Sequence, residues 1–167
     1  MFECTLTFQG VDPKLDLSRL ADAFFDASIM HLCDVNRLSE GLLSVNLSVE
    51  ELVTETELPL TKAIRVAQSV VGDATLMEVG PDVVNAYNIA YWLQLNNDHL
   101  DTTMCQEWFP EPIAEDHASN FDEDFWHLDE VMEAIKQNGQ LIADNPESLL
   151  QSAKAARVIN TLLQKRS

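Results

Sequence analysis

The chain has 167 residues and a formal charge of −18, from 28 Asp and Glu against 10 Lys and Arg. That length holds one domain of moderate size or two small ones sharing an interface, and that charge disfavours bare nucleic acid and acidic membranes as partners. Apolar residues are plentiful while Gly and Pro are scarce, which excludes wholesale disorder, and the apolar runs fall far short of the ~20 residues of a membrane span.

In chain order, Phe2, Cys4, Leu6 and Phe8 alternate with polar residues, which predicts a half-buried strand ended by Gly10. Leu17, Leu20, Ala21, Phe24 and Phe25 repeat at helical spacing and predict an amphipathic helix over 16–27. Leu43, Val45 and Leu47 place a second strand at 42–49, and Ser48 with Glu51 suggests a capping box soon interrupted by Pro59. Pro59 suits a first turn, and Leu60, Ala63, Ile64, Ala67, Val70 and Val71 make one apolar stripe, a helix stopped at Gly72. Residues 74–79 form a third short strand. The order β-α-β-α-β predicts a small three-stranded sheet with helices on one face, over residues 1–80.

Gly80-Pro81-Asp82 is punctuation, too short for a flexible linker. Beyond it the pattern is mainly helical. A short helix over 84–93 directs Ile89, Ala90 and Leu93 inward, and Asn96 or Asn97 caps a second helix running to about Glu107. Pro110 and Pro112 break the chain, and residues 113–126 supply two short strands around an acidic tip. Leu128, Val131, Met132 and Ile135 define another helix, stopped at Asn138-Gly139. Residues 139–167 form a C-terminal helical segment: Asn145 as cap and Pro146 in the first turn open a helix carrying Leu149, Leu150, Ala153, Ala156, Ile159 and Leu163. Its apolar residues cover more than one face. The pattern leaves two outcomes open, an intramolecular core and a homodimer built on a two-fold helical contact.

Charge is unevenly spread. Residues 66–135 contain no Lys or Arg and fifteen Asp and Glu. Cys4, Cys33 and Cys105 are an odd number at long spacings without CxxC, which reads as reduced thiols in a cytoplasmic protein, and no basic n-region marks a signal peptide.

The segment Gly80-Pro81-Asp82-Val83-Val84, followed by Ile89-Ala90, Leu93, Leu95, Leu100 and Met104, resembles bacterial helix-turn-helix proteins of the excisionase or MerR-like kind. Phe109-Pro110-Glu111-Pro112-Ile113 and Trp126-His127-Leu128-Asp129-Glu130-Val131 resemble the wing segment of the same group. The resemblance covers residues 2–137 loosely and 80–135 most clearly. It implies an α+β chain whose residues 81–138 form a winged helix-turn-helix-like domain, and a DNA-binding or antitoxin-like role.

The departures from that group carry more information. Its turn is Gly-Val-Ser-Arg with basic residues following, whereas here Gln94-Leu95-Asn96-Asn97 leads into Asp98-His99-Leu100-Asp101-Thr102-Thr103. Asn96, Asn97, His99, Thr102 and Thr103 have the chemistry to bond bases, yet no nearby cation would anchor phosphates. Tyr87, Tyr91 and Trp92 stand where the group carries Thr, Glu and Leu. Such aromatics suit a protein interface, and Trp92 equally suits a core.

Chemistry finds little foothold. His31-Leu32-Cys33, Asp98-His99-Leu100-Asp101 and Asp116-His117 match no known metal-ligand spacing, and His127 lies in the wing segment. The run from Asn120 to Asp124 begins like a calcium loop, but Phe125 and Val131 occupy its Gly and Glu places. There is no nucleophile elbow, phosphate loop or HExxH. The expectation is a non-enzymatic protein without cofactor or metal, binding a basic protein partner through Asp98, Asp101, Glu107, Glu111, Glu115, Asp116, Asp122, Glu123 and Asp124, with Tyr87 and Tyr91. An antitoxin, an immunity factor and a nucleic-acid-mimicking inhibitor all fit. The alternative is a helix-turn-helix transcriptional regulator that still binds DNA.

Overall fold

The computed structural model describes residues 2–26, 30–49, 58–113, 124–138 and 146–166. The protein is α+β. Strand β1 (Phe2–Gln9) leads to helix α1 (Leu17–Asp26), strands β2 (Met30–Ser39) and β3 (Leu42–Val49), helix α2 (Pro59–Val71) and strand β4 (Thr75–Gly80). A two-residue strand β5 (Val83–Val84) precedes α3 (Ala86–Leu93) and α4 (Asn97–Met104). Strand β6 (Trp126–His127) runs directly into α5 (Leu128–Gln137), and α6 (Pro146–Gln164) follows. The chain forms two compact units, Met1–Gly80 with Ala155–Ser167, and Pro81–Lys154.

The sheet of the first unit has four strands, not the three expected, in the order β2-β3-β1-β4 with every neighbour antiparallel. Helix α1 lies in the connection between β1 and β2, which skips β3, and α2 lies in the connection between β3 and β4, which skips β1. Two interleaved split β-α-β units result, the ferredoxin-like topology. The alternation read from β1 is real: Phe2, Cys4, Leu6 and Phe8 are buried, and Cys4, Leu6 and Phe8 pair opposite Leu47, Val45 and Leu43. Because side chains alternate with period two, those residues share one face with Leu20 and Phe24 of α1 and Leu60, Ala63 and Ala67 of α2 among the buried residues. Each fully buried Leu or Phe contributes about 1.5–3 kcal/mol relative to exposure.

Strand β2 escaped the sequence reading because its pairing with β3 shifts register twice, between Leu32 and Asp34 and between Arg37 and Ser39. Each shift breaks the period-two signal, and an edge strand needs less apolar alternation. The cue lay in its turn: Gly41, at φ +76°, closes the hairpin to β3, and its carbonyl accepts the Gly10 N–H at 2.8 Å. The Ser48–Glu51 capping box is a second correction. Ser48 sits buried inside β3 opposite Glu3 and His31, and Glu51 lies outside the described residues.

In the second unit, Ile89, Leu93, Leu100, Leu128, Val131, Met132 and Ile135 are buried, the inward faces that helical spacing assigns. Helix α4 stops at Met104, so Glu107 follows it in a turn. The strand at Trp126 pairs with β5, Val83 opposite His127 and Val84 opposite Trp126, and Val84 therefore belongs to a strand and not to the next helix.

Candidate functional site

Helix α3 opens on a reciprocal cap. The Asn85 carboxamide oxygen accepts from the Asn88 N–H at 2.9 Å, and the Asn88 side chain accepts from the Asn85 N–H at 3.3 Å. The helix ends at Gln94, whose left-handed backbone (φ 54°, ψ 36°) turns the chain in three residues toward α4. Between these ends Ile89 and Leu93 face inward, whereas Tyr87 and Tyr91, one turn apart, are 77% and 55% exposed. Two large aromatic rings therefore stand on the solvent face of one short helix.

Helix α4 is capped by Asn96, whose side-chain oxygen accepts from the His99 N–H at 2.8 Å. Leu100 and Thr103 face inward, which leaves Asn97, Asp98, His99, Asp101 and Thr102 exposed. Asp98 and Asp101 are three residues apart and so share a face. The Thr102 hydroxyl donates to the Asp98 carbonyl at 2.8 Å, and the buried Thr103 hydroxyl donates to the His99 carbonyl at 2.7 Å. Of the five residues suited to reading bases, Asn96 is engaged as a cap and Thr103 is buried; Asn97, His99 and Thr102 face solvent.

The sequence segments that resemble a wing fold together as a clasp within this unit. The Trp126 indole N–H donates to the Pro110 carbonyl at 3.0 Å, and its ring meets Phe109 edge-on with centroids 5.9 Å apart. The Asp82 carboxylate lies 2.8 Å from His127 Nδ1, and the Asp82 carbonyl accepts the Leu128 N–H at 2.8 Å. Gly-Pro-Asp, Phe-Pro and Trp-His-Leu are thus bound by structural contacts. The half-buried Asp82–His127 pair was absent from the sequence reading; two isolated polar residues 45 positions apart give no local signal.

Glu107, Glu111 and Asp124 are exposed. A backbone hydrogen bond from the Ile113 N–H to the Phe125 carbonyl, 2.7 Å, brings the chain just beyond Glu111 beside the chain just beyond Asp124. Glu115, Asp116, Asp122 and Glu123 lie outside the described residues, as does the acidic tip expected around them. Among the described residues no group of three or more His, Cys, Asp and Glu could hold a metal ion, and no helix is long and apolar enough to cross a membrane.

Electrostatics single out this unit. Pro81–Lys154 contains fifteen acidic residues and two lysines, a formal −13, against −5 for the rest of the chain, which has thirteen acids and eight bases. Both lysines bind carboxylates away from α4: Lys136 Nζ lies 2.9 Å from Glu147 Oε2, and Lys154 pairs with Glu133. The first pair holds the Glu147 carboxyl below its usual range, through the Lys136 hydrogen bond and then that of Gln151, and raises the Lys136 ammonium. Among the described residues no ion pair joins Asp98, Asp101, Glu107 or Glu111 to a base. Comparison with protein-family models, curated proteins and solved structures gives no match for this chain.

Proposed function

We propose that this is a non-enzymatic, acidic binding protein that engages a basic protein surface through α3 and α4 of its second unit. The observation that carries the reading is the exposure of Asp98 and Asp101 on α4, with no Lys or Arg between positions 66 and 135 and both lysines of the unit engaged elsewhere. Unneutralised carboxylates on a fixed helix raise the local negative potential and speed encounter with a cationic partner. Tyr87 and Tyr91 on the neighbouring helix supply the large rigid contacts that dominate interface energies.

The helix-turn-helix character of α3 and α4, joined through Gln94, Leu95 and Asn96, and the β5–β6 ladder support a winged helix-turn-helix-like scaffold diverted from DNA. DNA binding is the weaker reading. A protein contacting phosphate needs cations to release counterions, and α4 offers two carboxylates in their place. An antitoxin, an immunity factor and an inhibitor that imitates nucleic acid share the required chemistry. The membership that the segment resemblance implies belongs to the same proposal, as does a cytoplasmic location.

The test is capture from the native host lysate by the wild-type chain and by the Asp98→Lys/Asp101→Lys double variant, with and without nuclease. One basic protein, recovered in stoichiometric amount, insensitive to nuclease and lost with the double variant, is the expected result. DNA that disappears with nuclease, or a protein recovered equally by both chains, would refute the proposal.

A further inference from the structure

We infer that the first unit carries a separate binding groove for a small anionic amphiphile, a carboxylate with an aliphatic tail. Helix α2, edge strand β4 and the C-terminal part of α6 line a groove of about 800 Å³, within the roughly 300–1,000 Å³ of small-molecule sites. Its apolar walls are Ile64 of α2, Leu76 and Met77 of β4, and Ile159, Leu162 and Leu163 of α6, and Arg166 also lines it.

Strand β4 is the sheet's edge, so an added peptide strand is the first occupant to weigh. Two features oppose it. The Asn160 side chain occupies the strand's main chain at Val79, its amide donating to the Val79 carbonyl at 2.8 Å and its oxygen accepting the Val79 N–H at 2.9 Å. Nearer the groove the pairing with β1 shifts register: Thr7 opposes Glu78 and Phe8 opposes Leu76, so Met77 is bulged and a regular ladder is interrupted. The groove therefore offers side chains, not a backbone template.

Charge selects the head group. The chain carries −18 overall, yet residues 155–167 contain Arg157, Lys165 and Arg166 and no acid. Arg166 is fixed where the helix ends, its N–H donating to the Leu163 carbonyl at 3.1 Å, and it lines the groove. A cation in the lining of an apolar groove suits a carboxylate head with its tail along Leu162 and Met77.

The experiment titrates the full chain calorimetrically with octanoate, decanoate and dodecanoate, and with uncharged decanol. One equivalent of carboxylate should bind, tightening about twofold or more per added methylene as apolar surface is covered. Decanol should bind about two- to fivefold more weakly than decanoate, the scale of an exposed ion pair. Arg166→Gln should bring decanoate to the decanol level. Leu162 and Val158 are 53% and 60% exposed on the same helix, and only Leu162 lines the groove. Leu162→Glu should therefore abolish binding while Val158→Glu leaves it intact. No saturable binding below the micellar concentration, equal affinity for decanol and decanoate, or equal loss in both glutamate variants would overturn the inference. Self-association in sedimentation that Leu162→Glu removes would also overturn it, by giving the groove to a second copy.

Discussion

Replacing Asn160 by Leu tests how the C-terminal part of α6 is held to the sheet of the first unit. The change keeps the γ-branched shape, enlarges the side chain and raises helix propensity by a few tenths of a kcal/mol, while removing the donor and the acceptor that serve Val79. Val79 is buried, so its N–H and carbonyl are left in an apolar setting without those partners. Each orphaned group costs about 1–3 kcal/mol, and the added apolar burial of Leu returns about 1 kcal/mol. The net loss is about 1–5 kcal/mol, which for a chain of this length lowers Tm by about 2–20 °C. Urea unfolding followed by far-ultraviolet circular dichroism gives the free energy, and amide exchange at Val79 reports the local bond. Asn160→Asp keeps the acceptor for the Val79 N–H and sets a carboxylate against its carbonyl, so it should lose stability while retaining more protection at that amide. A loss below about 1 kcal/mol in Asn160→Leu, with the Val79 amide still protected, would refute the reasoning.

Two further outcomes follow from local geometry. Gln94 holds a left-handed backbone that costs an L-residue about 1–2 kcal/mol, so Gln94→Gly should stabilise the chain by up to about 1 kcal/mol after the entropy of the freer unfolded glycine is subtracted, measured as a rise in urea midpoint. The exposed Lys136–Glu147 pair should shape the pH profile in a known direction. Glu147 titrates below its ordinary 4.5, so its contribution is present above that value and fades as pH falls through the lower folded value. Lys136 titrates above 10.5, so its contribution is complete below that value and fades as pH rises through the higher folded value. Glu147→Gln should flatten the acid side of the urea-midpoint profile; an unchanged acid slope would refute the assignment.

Much of the candidate surface was legible because helix surfaces declare themselves. Leu100 alone at helical spacing among Asn97, Asp98, His99 and Asp101 already places those polar residues outward, and Tyr87 with Tyr91 falls opposite Ile89 and Leu93. Thr103 shows the limit. Its polarity suggested an outward contact, whereas its place one turn from His99 lets the hydroxyl satisfy itself on the helix backbone and be buried. The groove of the first unit left no trace in the chain order, since α2, β4 and α6 contribute to it from positions 61 to 166.

The period of each strongly amphipathic element, the α+β class and the segregation of charge follow from residue type and local spacing alone. So does the cap that opens α4, read as Asn96 or Asn97 and found at Asn96, whose bond reaches only three residues along the chain; the cap at Asn85, equally local, went unread. The tertiary structure decided the fourth strand, the ladder between β5 and β6, the Asp82–His127 contact and the Asn160 bridge to Val79. Each of those joins residues far apart in sequence, and two register shifts in β2 erase the alternation that would have announced it. Local patterns record which face a residue turns to the core; only the closed chain fixes which distant backbone meets it there.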